Sequence, residues 1–128
     1  MHAVEYMLLL SMFIFQIKHF LCDFVFQTSD QIRYKGDYFH RAGLTHAGLH
    51  AVGSLPALLV ITRAPVVVTS LVVLEFFIHY HTDWTKAQID RKLRLNNQNS
   101  LYWMIFGTDQ LVHQLTYVGM IFLALYFG

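Results

Sequence analysis

Four stretches of this sequence are apolar enough, and long enough, to cross a lipid bilayer, and each carries a pair of ionisable side chains four residues apart. No other feature limits the fold as much. A crossing takes about 20 residues of helix, because only a helix or a closed barrel satisfies its own backbone inside hydrocarbon. The spans run from about Val4 to Phe26, Gly43 to Thr62, Pro65 to Trp84, and Leu101 to residue 127. Composition agrees: 13% of residues are charged and 55% hydrophobic, where soluble domains carry about 25% charged residues. The reading is therefore all-α: one domain, residues 1–128, folded as a four-helix transmembrane bundle. Pro56 predicts a kink in the second span, and Ser100 is read as the N-cap of the fourth. The opening MHAVEYMLLLSMFIFQ lacks a basic leader and a small-residue cleavage site, so it reads as the start of a retained helix.

The charges set an orientation. Arg33, Lys35 and Arg41 fall in the first connection (27–41), and Lys86, Arg91, Lys92 and Arg94 in the third (85–100). The second holds only Arg63, a count of seven against one. Basic loops stay in the cytoplasm, which predicts an inner-membrane protein of bacterial type, with both termini outside and loops 27–41 and 85–100 cytoplasmic. A formal net charge of +1 leaves no basic footprint for nucleic acid. The single cysteine, Cys22, excludes an intramolecular disulfide or a thiolate cluster.

The polar pairs are His19 and Asp23, His46 and His50, His79 and Asp83, and Asp109 and His113, with Glu75 one turn before His79. Residues four apart share a helix face. With the orientation above, all four pairs fall at one depth in the cytoplasmic half of the bilayer. An Asp at a helix centre costs roughly 2.5–3.5 kcal/mol to insert, so three of them with five histidines need compensation. One such pair alone reads as an interhelical hydrogen bond. Four in one layer point to a divalent cation, which binds neutral imidazole and carboxylate together. The ligands are then His19, Asp23, His46, His50, His79, Asp83, Asp109 and His113. The cofactor is one or two ions, with Zn, Mn or Fe favoured over Mg by the nitrogen-rich set. His2, His40 and His81 fall off the pattern.

The two halves of the chain echo each other. HFLCDF (19–24) matches HYHTDW (79–84) at an offset of 60 residues, and THAGLH (45–50) matches TDQLVH (108–113) at 63. The bundle is thus predicted to consist of two similar helical hairpins, with Asp23 opposite Asp83 and His50 opposite His113. Such symmetry suits two cations about 3.5–4 Å apart.

The ordered motifs His19-x3-Asp23-Phe24-x2-Gln27, His46-x3-His50, His79-x3-Asp83-x2-Lys86 and Asp109-Gln110-x2-His113 resemble a bacterial and phage membrane-protein family, domain of unknown function 3307. The pattern is more loosely similar to small membrane-bound metal-dependent hydrolases, which by analogy implies hydrolytic chemistry.

The chemistry expected of such a site is metal-dependent hydrolysis of a lipid or lipid-linked (phospho)ester, with membrane lipid as partner. Glu75 is a candidate general base, ligand or orienting acceptor, and Lys86 a candidate contact to phosphate. Gln27 and Gln110 are read as orienting residues around the ligands. The alternative is a metal-binding or proton-relay membrane protein without hydrolysis: a transporter, sensor or partner subunit. A transporter of four spans would need a homo-oligomer, for which the small residues of GLTHAGLHAVG (43–53) allow close contact.

Overall fold

The computed structural model describes residues 3–128; His2 lies outside them. The chain is helical: α1 (Ala3–Phe20), continued by a π-helical turn (Leu21–Val25), α2 (Ser29–Tyr34), α3 (Arg41–Gly53), α4 (Leu55–Ile61), α5 (Pro65–Leu93) and α6 (Ser100–Phe127). Four stretches are long and apolar enough to cross a membrane: Ala3–Val25, Arg41–Ile61, Pro65–Leu93 and Ser100–Phe127. They pack as a ring, α1 against α4, α3 against α5, α5 against α6 and α6 back against α1.

Each helix turns one stripe inward, and the stripe changes character along its length. On α1 the buried positions pass from Ser11 and Phe15 to Lys18 and His19. On α5 they pass from Val68 and Leu71 to Glu75, His79 and Asp83. On α6 they run the other way, from Asp109 and His113 through Tyr117 to Met120, Ile121 and Ala124. One half of the bundle is thus an apolar core of Phe15, Leu58, Leu71, Tyr117 and Met120. The other half, towards the first and third connections, is polar. Phe13, Val73, Leu111 and Phe122 face outward, as side chains meeting lipid would.

Local sequence explains the irregular places. The second span is broken at Ser54, between α3 and α4, with Pro56 in the first turn of α4. Proline supplies no N–H to the preceding turn, so the predicted kink is a break two residues upstream. The π turn is closed by the Phe26 N–H on Leu21 O at 2.8 Å, a geometry that recurs at functional sites. Helix α2, inside the first connection, begins with a capping box in which Thr28 and Gln31 satisfy each other's backbone N–H. Its signal was in the sequence, as Thr-x-x-Gln.

The helix of the third span continues beyond Trp84: α5 runs on to Leu93, where Arg94 takes a left-handed conformation. Lys86 and Asp90 support that extension with an i,i+4 ion pair at 3.0 Å. The N-cap of α6 is Asn99 rather than Ser100.

Candidate metal centre

The four polar pairs meet. His50 and His79 stack with centroids 3.8 Å apart, and His79 stacks in turn on His113 at 4.1 Å. His19 lies 5.6 Å from both His50 and His113. His50 and His113, expected opposite each other, sit 6.4 Å apart with planes 21° from parallel.

The carboxylates thread this cluster. Asp23 Oδ1 lies 2.9 Å from His50 Nε2 and 3.2 Å from His46 Nε2. His46 Nε2 is also 3.3 Å from Asp83 Oδ2, so one imidazole spans both carboxylates. His113 Nε2 lies 3.4 Å from Asp83 Oδ1 and from Asp109 Oδ1. Two groups of ligand atoms result, each within 4.8 Å: Asp23, His46, His50 and His79 in one, His79, Asp83 and His113 in the other. These buried His and Asp groups could hold a metal ion.

Hydrogen-bond accounting supports that fit. His79 Nε2, Asp83 Oδ2, Asp109 Oδ1 and His113 Nε2 are buried, and each lacks a hydrogen-bond partner among the described residues. A buried polar atom left so costs about 1–3 kcal/mol. Four on two side-chain pairs, one from each of two helices and converging, have the chemistry of a nitrogen–oxygen donor set for a cation.

His19 differs from the other expected ligands. Gln110 Nε2 donates to Asp109 Oδ2 at 3.2 Å, which turns Gln110 Oε1 towards His19 Nε2 at 2.8 Å. An amide oxygen only accepts, so His19 donates from Nε2. At its other nitrogen, Nδ1, it meets the Tyr117 hydroxyl at 2.9 Å, and that hydroxyl accepts from Lys18 Nζ at 3.1 Å. Both ring nitrogens are thus engaged. His79, its counterpart in the second half, has no hydrogen bond at Nε2. The repeat explains the difference: Ile78 and Ser54 stand where Lys18 and Tyr117 have their offset partners.

The remaining expected residues are dispersed. Glu75 is 1% exposed and ion-paired with Lys18, itself 6% exposed. It belongs to neither ligand group. Gln27 Nε2 reaches His46 Nε2 at 3.3 Å. Lys86 is held by Asp90 and lines a cleft between α5 and α6 that it shares with Asp109. His40 caps α3, and His81 bonds to Tyr38 and to the Phe77 carbonyl, both away from the cluster.

Two residues beside the centre escape a sequence reading. Lys18 interrupts an apolar run without any periodic partner. Lys35 looks like one more loop cation, yet its Nζ comes to 3.6 Å from Asp83 Oδ2. Burial disfavours its ammonium, but the charges of Asp83, Asp109 and Asp23 outweigh that and hold its pKa above the ordinary lysine value.

A family model for proteins of unknown function, DUF3307, matches residues 10–127. The chain belongs to the DUF3307 family. No curated protein and no solved structure matches it. In this DUF3307 chain the matched segment contains all four polar pairs, so the centre lies within the part that defines the family.

Proposed function

We propose that this DUF3307 protein is a membrane-embedded, metal-dependent hydrolase of a lipid or lipid-linked (phospho)ester, working at the cytoplasmic leaflet of a bacterial inner membrane. The observation that carries this reading is the set of converging, buried atoms without a hydrogen bond on His79, Asp83, Asp109 and His113. Asp23, His46, His50 and His79 would hold one divalent cation, and Asp83, His113 and Asp109 a second, with His79 between them. Such ions make water acidic enough to attack at neutral pH and polarise the ester. In the overall reaction the oxygen of water bonds to phosphorus or to the acyl carbon. The ester bond breaks, and a proton from water goes to the departing alcohol.

The site's edges favour chemistry over an enclosed structural ion. Asp23 and Lys35 keep 11% and 18% of their side chains exposed, and Asp109 lines the cleft between α5 and α6. A reacting site needs such an open side, which a structural metal does not. Glu75 fits the orienting part of its expected roles, acting on His19 through Lys18 and Tyr117. The basic connections give the cytoplasmic assignment.

The test is metal content per chain, by mass spectrometry on detergent-purified protein, followed by hydrolysis of phosphoester and ester lipids. One or two ions, lost in His113→Ala and Asp83→Ala, together with lipid turnover, support the proposal. A wild-type protein that holds no ion after chelator-free purification would sink it.

A further inference from the structure

The segment Lys35–Gly36 is built into a slot. A Cβ added at Gly36 would lie 2.8 Å from Arg91 Cζ and 2.9 Å from Ala87 Cβ. The Gly36 carbonyl accepts from Gln88 Nε2 at 2.6 Å and Arg91 Nη1 at 3.2 Å. Arg91 also pairs with Asp37 at 2.7 Å. On the other side, a Cβ at Gly43 would sit 3.5 Å from Lys35 Cα. Gly36 therefore lets the extension of α5 close on the loop while α3 packs against its other side at ordinary contact distance, and the clamp sends the Lys35 ammonium down onto Asp83. A cation needed only to mark the cytoplasmic side would require none of this.

Charge gives the placement its meaning. Asp23, Asp83 and Asp109 bring three negative charges to the centre and Lys35 one positive, while Lys18 and Glu75 neutralise each other. One divalent cation cancels the remaining two negative charges. The second cation leaves two positive charges in a poorly solvated site, which only an anion can offset. A cation seated at Asp83 also repels Lys35 from its partner and frees the ammonium for that anion.

We propose that Lys35 is the anion-recognition residue of the centre, and that the substrate is a phosphoester rather than a neutral carboxyl ester. This deepens the hydrolase reading and rests on it. Lys86, the lysine the sequence offers for that task, is held by Asp90 instead.

The experiment uses the full-length, detergent-purified chain loaded with Mn, with inorganic phosphate as the probe in calorimetric titration. Lys35→Met should hold as many cations as wild type and bind phosphate about tenfold or more weakly, the loss of one charge-assisted hydrogen bond. Lys35→Arg should recover most of that affinity. Should Lys35→Met fail to fold, Gly36→Ala displaces the same loop and should weaken phosphate in the same way. Nanodiscs containing phosphatidic acid in phosphatidylcholine distinguish the source: competition with phosphate assigns a lipid headgroup, no competition a water-soluble phosphoester, and either supports the proposal. Equal phosphate affinity in wild type and variant, or no phosphate binding by the loaded wild type, overturns this inference and leaves the hydrolase reading standing. Loss of the cations in Lys35→Met also overturns it, by making Lys35 structural. A wild type without cations overturns both.

Discussion

Replacing Lys18 by Met keeps an apolar stem of similar length and removes the ammonium. Its partner Glu75 then loses the hydrogen bond at Oε1, while Oε2 already has no partner among the described residues. The pair lies on the border between apolar core and polar cluster, at 6% and 1% exposure, so water cannot replace the lost contact. Breaking a buried pair on one side costs about 3–5 kcal/mol, whereas replacing both members by apolar residues is often neutral. Lys18→Met should therefore shift the unfolding equilibrium by more than about a hundredfold. Lys18→Met with Glu75→Leu should recover most of it. The assay is SDS-titrated unfolding in mixed micelles, followed by circular dichroism, with the four proteins closed into a double-mutant cycle. A single variant within about 1 kcal/mol of wild type would refute the reasoning, since it would mean that the pair is hydrated or unformed. A double variant as unstable as the single would also refute it, by assigning the loss to packing.

Three further outcomes are expected. His46→Ala should cost more bound metal than Gln27→Ala, because His46 Nε2 spans Asp23 and Asp83 while Gln27 only touches it; metal content per chain checks this. Cation retention should fall as pH drops, because each ligating nitrogen must be free of its proton; metal content after dialysis at a series of pH values measures it, and retention rising towards acid would contradict it. Ser11→Ala should destabilise the bundle by about 0.5–1.5 kcal/mol, since the buried hydroxyl donates to Ala57 O at 3.0 Å and joins α1 to α4; the same SDS titration reads it.

The four spans and the four polar pairs were legible because both are properties of a chain in one dimension. Apolar length decides whether a helix can cross a bilayer, and a spacing of four decides which side chains share a face. His19, Asp23, His46, His50, His79, Asp83, Asp109 and His113 could therefore be placed in one layer before any packing was known. The Thr28–Gln31 capping box was equally local, and marks a short helix inside what reads only as a basic loop. The break before Pro56 was visible as a kink, though not its position.

Tertiary structure alone decided the rest, because it depends on which atoms meet across the bundle. Lys18 finds Glu75 57 residues away, and His19 loses its free nitrogens to Tyr117 and Gln110, more than 90 residues further along. By sequence, His19 and His79 are equivalent halves of a repeat. Their surroundings make one a hydrogen-bonded bridge and leave the other without a hydrogen bond at Nε2. Lys35 is the sharpest case. Sequence reads it with Arg33 and Arg41 as a sign of the cytoplasmic side, and only the packing of α3 and the close approach of α5 at Gly36 bring its charge to the centre. Helix formation and membrane crossing follow from each residue's own chemistry and its near neighbours. The charge balance of a buried site is set by distances between segments, which the order of residues does not contain.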